Sequence, residues 1–129
     1  MSRWYLDTSA AVKLLVREAE SAGLIHLINH ERPALISSLL LETELRRTVH
    51  RIPALAQDMV TAMLAKVSLF ELEPAQFTHA GLLPGTNLRS LDALHLATAI
   101  DLQADALLTY DVRMAAAAEE VGMPVMAPV

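Results

Sequence analysis

The stretch RWYLDTSAAVKLLV, residues 3–16, decides the fold. Its apolar run ends at Asp7, as a short strand buried in a parallel sheet would end. After Thr8 and Ser9, apolar residues recur three and four positions apart, a spacing that predicts a helix. A buried strand that leads through an acidic turn into a helix begins a β-α-β unit.

The same alternation continues along the chain. Short apolar runs occur in RPALISS (32–38), KVSLFELEP (66–74), ADALLTYD (104–111) and MPVMAPV (123–129). Helical spacing predicts helices over 9–17, 19–30, 38–51, 54–66, 75–82, 90–103 and 112–121. Strands alternating with helices predict an α/β fold, a three-layer α/β/α domain around a central, mostly parallel sheet of four to five short strands.

Length and composition predict one folded domain over residues 1–129. The chain is 53% hydrophobic and only 19% charged, so disorder is not expected. No apolar run approaches the ~18 residues that span a bilayer, and no stretch resembles a signal peptide, which predicts a soluble cytoplasmic protein without a membrane partner. Because the sequence contains no cysteine, any metal must have oxygen or imidazole ligands.

Four acidic residues stand where a ligand site is expected. Ligands of open parallel sheets bind beyond the carboxyl ends of the strands, where Asp7 and Asp111 are predicted. Glu44 and Asp92 lie on predicted helices among mostly apolar neighbours. A carboxylate in such surroundings is costly unless a metal or a set of hydrogen bonds compensates for its burial.

Each acid also has a simpler interpretation. Asp7 and Asp111 can cap the helices that follow them. Asp92 lies two residues after Ser90, a possible cap, in a first turn where a carboxylate is favoured by the helix dipole. Glu44 can belong to a solvated helix face with ordinary ion pairs. Taken singly, these readings compete with the functional one, but they do not predict four acids in four such contexts.

Four motifs together resemble the PIN-domain family, specifically VapC-type ribonuclease toxins of type II toxin–antitoxin systems. They are YLDTSA (5–10), SSLLLETELRR (37–47), LRSLDALHLATA (88–99) and LLTYDVRMAAAAEEVGMPV (107–125). The resemblance runs nearly end to end and implies a PIN fold. It implies that the acidic metal site comprises Asp7, Glu44, Asp92 and Asp111, with Ser9 and Thr109 as supporting polar groups.

The resemblance further implies a metal-dependent endoribonuclease. Oxygen ligands select Mg²⁺, or Mn²⁺, and such ions activate a water for attack on a phosphodiester. The expected products carry a 3′-hydroxyl and a 5′-phosphate. The implied partners are an RNA substrate, a cognate VapB-type antitoxin held in a groove among the early helices, and a second copy in a homodimer.

The net charge of −5 argues against a nucleic-acid partner unless metal ions offset it. Without the four site carboxylates (Asp7, Glu44, Asp92 and Asp111) the formal charge becomes −1. Arginines near the acidic motifs can then contact RNA phosphates. They are Arg46, Arg47, Arg51, Arg89 and Arg113.

Other functions remain open at this point. A haloacid-dehalogenase-like phosphatase should have a second Asp at position 9, where this chain has Ser9. A receiver domain should end its third strand on an Asp, and a silent binding module should lack one of the acids. A PIN-like nuclease or phosphoryl-transfer protein without a toxin role is the main alternative.

The histidines favour no separate site. His26 and His30 stand four apart without an evident third ligand, which favours a surface pair. His95 stands one helical turn after Asp92, where a partly buried helical histidine is the favoured reading over a supporting role beside a metal.

Overall fold

The computed structural model describes residues 1–129 and contains one five-stranded sheet. All four strand pairs are parallel. The strands lie in the order β3-β2-β1-β4-β5. They are β1 (Arg3–Leu6), β2 (Ala34–Ser38), β3 (Ser68–Phe70), β4 (Ala106–Leu108) and β5 (Val125–Met126).

Seven helices connect and cover the strands. They are α1 (Thr8–Leu15), α2 (Ser21–Glu31), α3 (Leu40–Val49), α4 (Gln57–Leu64), α5 (Pro74–Leu82), α6 (Ser90–Asp101) and α7 (Val112–Glu120). None of them is both long and apolar enough to cross a membrane.

The sheet separates two apolar cores, as the two-residue period of a strand requires. Trp4 and Leu6 of β1 pack on one face, in a cluster with residues of α1 to α4. Tyr5 points to the opposite face and packs with Leu96 of α6 and Met114 of α7. This arrangement confirms the predicted three-layer α/β/α fold with its parallel sheet.

The strand order reverses at β1, and this reversal positions the site. The chain passes from β1 outward to β2 and β3 and then crosses to β4 on the other side of β1. Leu6 and Leu108 are register partners, so β1 and β4 end side by side. A crevice at the carboxyl ends of two such strands is where open α/β sheets bind ligands.

The predicted elements are all present, with ends that differ by a few residues. Gly122 follows α7 with φ +80°, the left-handed conformation expected after a helix end. The suggested cap at Ser90 is wrong. Ser90 is the first residue of α6, and Arg89 occupies the cap position without a side-chain hydrogen bond.

Candidate functional site

Asp7 lies immediately after β1 and is only 2% exposed. It caps α1, because its Oδ1 accepts a 2.9 Å hydrogen bond from the backbone N–H of Ala10. The Ser9 hydroxyl lies 2.8 Å from the same oxygen and 3.0 Å from Oδ2. Thr109 donates a 2.6 Å bond to Oδ2. The predicted cap is therefore confirmed, and Asp7 itself provides it.

The surroundings of Asp7 have two opposing effects on the pKa of its carboxyl. Burial raises the pKa of this carboxyl above its ordinary value of 3.8, and the bonds from Thr109, Ala10 and Ser9 oppose that rise. Ser9 has a single hydroxyl proton, which can serve only one carboxylate oxygen at a time. One acceptor position of Asp7 therefore stays available to another ligand.

Ser9 and Thr109 also join the ends of β1 and β4. The Ser9 Oγ accepts a 2.9 Å bond from the backbone N–H of Tyr110. The Thr109 Oγ1 accepts a 3.1 Å bond from the backbone N–H of Asp111. Both hydroxyls thus hold the β4–α7 turn against Asp7, the supporting position predicted for them.

Asp111 begins α7 as its cap. Its Oδ1 accepts bonds of 2.9 Å from the N–H of Arg113 and 3.0 Å from the N–H of Met114. The interpretation of Asp111 as a helix cap is therefore correct, and Oδ1 is the capping oxygen. The carboxylate is half-buried, and its Oδ2 accepts no hydrogen bond from the protein.

Glu44 lies on the middle turn of α3 and contacts a histidine of α6. Its Oε1 is 2.5 Å from the Nε2 of His95. The other ring nitrogen of His95, Nδ1, is 2.7 Å from the hydroxyl of Tyr5 on β1. The hydrogen-bonded chain Tyr5–His95–Glu44 therefore runs from the buried centre of the sheet to an acid whose side chain is 23% exposed.

Asp92 lies in the first turn of α6 and is half-buried. Burial raises the pKa of its carboxyl, and the negative charges of Asp111 and Glu44 raise it further. His95 and Arg89 oppose the rise. The charges of Asp111 and Glu44 thus act on Asp92, so α3, α6 and the start of α7 bring these three carboxylates near one another. Asp111 follows β4, whose end lies beside the end of β1 that carries Asp7.

The four site carboxylates offer the donor chemistry of a hard divalent cation, although no three His, Asp or Glu side chains are arranged to hold a metal directly. Close carboxylates repel one another and bind protons more tightly until a cation offsets their charge. Thr8, between Asp7 and Ser9, has a buried hydroxyl oxygen with no hydrogen-bond partner. The residues thus fit a cation chemically through their oxygen donors.

The predicted phosphate contacts divide into two groups. Arg46 is engaged within the protein, since it bonds Glu42 at 3.0 Å, Gln57 at 3.2 Å and Thr61 at 3.1 Å. The other four arginines are exposed and their guanidinium groups form no ion pair, although Arg51 donates a 3.2 Å hydrogen bond to the Thr48 hydroxyl. They are Arg47, Arg51, Arg89 and Arg113.

Sequence reasoning missed one part of the site. The sequence favours a partly buried helical histidine at position 95, whereas His95 is 1% exposed and bonded to Glu44. The spacing of Asp92 and His95 was the only available signal, and nothing pointed to Tyr5. The rings of His26 and His30 stack 6.1 Å apart on the surface, as favoured.

Residues 4–120 match the family model described as the PIN domain. The chain belongs to the PIN-domain family. This PIN domain is 41% identical over 130 residues to Ribonuclease VapC46 of Mycobacterium tuberculosis, with 99% of both chains covered. It is 39% identical over 130 residues to Ribonuclease VapC35 of the same species, with 96% of both covered.

Solved structures agree with the PIN fold. VapC20 of M. tuberculosis, described as a toxin that cleaves the sarcin-ricin loop, has a TM-score of 0.72 at 18% identity, over 88% of this chain and 94% of that one. VapBC2 from Rickettsia felis, solved with a DNA fragment from the promoter, has a TM-score of 0.69 at 15% identity, over 98% and 99%. The predicted family and fold are confirmed. The metal-binding roles of the four site carboxylates stay predictions.

Proposed function

We propose that this chain is a VapC-type toxin, an endoribonuclease that depends on Mg²⁺ or Mn²⁺. The observation that carries the proposal is that, in a PIN domain, Asp7 and Asp111 follow two adjacent parallel strands while Asp111 and Glu44 lie near enough to Asp92 to raise the pKa of its carboxyl. Near-full-length relatives that are named ribonucleases support the choice of RNA as substrate.

The residues would divide the work as follows. The four site carboxylates would hold the cation, which when bound supplies an activated water and offsets charge on the scissile phosphate. Ser9 and Thr109 keep Asp7 in position and favour its charged form through their hydrogen bonds. Arg47, Arg89 and Arg113 would contact flanking phosphates. The expected products carry a 3′-hydroxyl and a 5′-phosphate.

The phosphatase alternative loses support at position 9. Such an enzyme needs a second aspartate there, and Ser9 instead directs its hydroxyl to Asp7. A silent binding module would lack one of the acids, and all four are present. A PIN nuclease without a toxin role differs only in its effect on the cell.

An apolar groove between α1, α2 and α4 is suited to an amphipathic antitoxin segment. It has a volume of about 340 Å³. Its lining includes Leu14, Leu15, Ile25, Ile28, Met59 and Met63. The proposed occupant is a VapB-type antitoxin, in keeping with the likeness to the VapBC2 structure.

The proposal also includes a homodimer. Phe77 and Leu82 of α5 and Leu91 of α6 expose large apolar side chains. They lie on the helix pair that borders a second cavity, of about 370 Å³. A second copy that covers this face would remove the apolar area from water.

The test of the nuclease is direct. Purified protein is incubated with RNA and Mg²⁺ or Mn²⁺, with and without EDTA, and alongside Asp7→Asn and Asp92→Asn. Cleavage is expected only with metal and wild-type acids. The matched control is Asp58→Asn, which changes an exposed carboxylate of α4 and should cleave normally. Cleavage that survives EDTA and both site substitutions would overturn the proposal.

The toxin role needs a cellular measurement. Expression of the wild-type chain should arrest growth, and Asp7→Asn should relieve the arrest. Co-expression of the cognate antitoxin should relieve it too, and Ile25→Glu in the groove should weaken that rescue. Normal growth during expression of a chain that cleaves RNA in vitro would favour a nuclease without a toxin role.

A further inference from the structure

We propose that His95 and Tyr5 are positioning residues for Glu44, which hold one oxygen of its carboxylate so that the other is presented to the bound cation. This inference rests on the proposed metal-dependent function. It concerns two residues that the proposed reaction does not otherwise use.

The contacts define a continuous chain of three side chains. Tyr5 Oη lies 2.7 Å from His95 Nδ1, and His95 Nε2 lies 2.5 Å from Glu44 Oε1. The two rings meet edge to face, with an interplanar angle of 72° and centroids 5.7 Å apart. Both ring nitrogens of His95 are therefore used, and the imidazole cannot rotate without losing both bonds.

The direction of the bonds follows from the ends of the chain. An ionised Glu44 only accepts hydrogen bonds, so Nε2 of His95 carries the proton and donates it. In the tautomer protonated at Nε2 alone, Nδ1 accepts a hydrogen bond from the Tyr5 hydroxyl. The tautomer of His95 is thus set by Glu44, and the Tyr5 hydroxyl matches it by donating to the other ring nitrogen.

The hydrogen-bonded chain of side chains is buried at the Tyr5 end and partly exposed at the Glu44 end. Tyr5 is 0% exposed and His95 is 1% exposed, whereas the Glu44 side chain retains 23% exposure. Glu44 Oε1 is occupied by His95, and Oε2 accepts no hydrogen bond from the protein. The free oxygen is on an acid close enough to Asp92 to raise its pKa.

A purely structural role would not require this arrangement. Position 95 belongs to the buried stretch of α6 from Ala93 to Ala99, in which Thr98 is the only other polar residue. Leucine there would need no polar partner. A buried imidazole that connects the sheet to a half-exposed acid resembles the outer groups that orient metal ligands, whose loss typically costs 10–100-fold in metal affinity.

The experiment measures Mn²⁺ binding to the full chain by calorimetry, without RNA. Tyr5→Phe keeps the packing and removes the hydroxyl, and about 10-fold weaker binding is expected. His95→Leu should weaken binding by up to roughly 100-fold, and His95→Gln, which retains a donor toward Glu44, should recover part of that loss. The matched control is His79→Gln. His79 of α5 also bonds a carboxylate at 3.0 Å, but that carboxylate belongs to Asp101, the last residue of α6.

Two further measurements separate positioning from folding. In a Glu44→Gln background, Tyr5→Phe should cause no additional loss of Mn²⁺ affinity, because the residue through which it acts is already changed. In ¹⁵N-histidine spectra, His95 should carry its proton at Nε2 in both the wild type and Tyr5→Phe, and loss of the Tyr5 hydroxyl should shift the Nδ1 signal.

The outcomes are distinct. Equal Mn²⁺ affinities for the wild type, Tyr5→Phe and His95→Leu would overturn the positioning role. The proposed function would be unaffected. Full additivity of Tyr5→Phe with Glu44→Gln would also overturn it. Wild-type protein that binds no Mn²⁺ would refute both the metal-dependent function and the positioning role.

Discussion

The Thr109 hydroxyl donates a 2.6 Å hydrogen bond to Oδ2 of Asp7, across 102 positions of the chain. The bond joins the end of β4 to the end of β1 at the point where the strand order reverses. It is the shortest of the bonds to Asp7, and it opposes the effect of burial on the pKa of that carboxyl. Thr109 therefore supports both the charge of the site and the closure of the sheet edge.

Thr109→Val should destabilise the protein at neutral pH. The substitution keeps the side-chain shape and removes a buried bond to a charged group, which is worth about 1.5–3 kcal/mol. Because the lost bond favours ionised Asp7, the loss should be greatest above the Asp7 pKa and shrink as pH falls through it. Urea unfolding at pH 7 and at pH 4 measures the difference.

Thr78→Val, at an exposed position of α5, is the matched control and should change the unfolding free energy by less than about 0.5 kcal/mol. An equal loss for Thr109→Val at both pH values would contradict the charge-dependent explanation and indicate lost packing.

The Tyr5 hydroxyl should lower the stability of the folded protein at alkaline pH. Burial raises the pKa of its hydroxyl from 10.0 to about 12. Between these values the native state keeps a proton that the unfolded chain has released, so the free energy of unfolding falls as pH rises. The full effect is about 3 kcal/mol. Urea unfolding from pH 9 to pH 12 measures this slope.

Tyr5→Phe should remove most of that slope. Tyr110→Phe, which changes the only other tyrosine, should retain it, because the Tyr110 ring is only partly buried. Identical slopes in the two variants would show that the alkaline loss has another origin.

Arg46 and Arg47 should behave differently although they are adjacent. Arg46 connects α3 to α4 through Gln57 and Thr61, with a partly exposed ion pair to Glu42. Arg46→Ala should therefore lower stability by up to about 1 kcal/mol. Arg47 is exposed, so Arg47→Ala should leave stability unchanged and weaken RNA binding.

The RNA measurement uses the Asp7→Asn background, which should bind without cleaving. For single-stranded RNA, Arg47→Ala should reduce the slope of log affinity against log salt by about 0.7 for one lost phosphate contact. An unchanged slope for Arg47→Ala would remove Arg47 from the phosphate contacts.

Mn²⁺ should stabilise the protein, and acid should weaken the effect. At 100 times Kd a ligand that binds only the native state adds about 2.7 kcal/mol to the free energy of unfolding. Because burial raises the pKa of Asp92 above 3.8, protons compete with the cation at higher pH than for an ordinary aspartate. Thermal unfolding with Mn²⁺ or EDTA, from pH 5 to pH 8, measures both effects.

Asp92→Asn should abolish this stabilisation, and Asp58→Asn should retain it. A shift of equal size in both variants would mean that Mn²⁺ binds elsewhere.

The sequence predicted those parts of the site that follow from strand direction. Asp7 and Asp111 were expected at one edge because parallel strands end together, and β1 and β4 do. The contact between Glu44 and His95 could not be predicted, since it depends on where α3 and α6 approach each other across the sheet edge. Likewise, side-chain partners such as those of Arg46 depend on packing that periodicity does not encode.

The central position of β1 has a consequence for the synthesis of the protein. β1 leaves the ribosome well before one of its two neighbours, β4, which begins only at Ala106. Until then, β1 has an unpaired edge and Asp7 lacks the hydroxyl of Thr109. Pairings this distant in sequence form late in folding. A chain whose synthesis has not reached Asp111 therefore lacks the complete set of acids, so the ribosome does not meet the assembled site before β4 and the β4–α7 turn have been made.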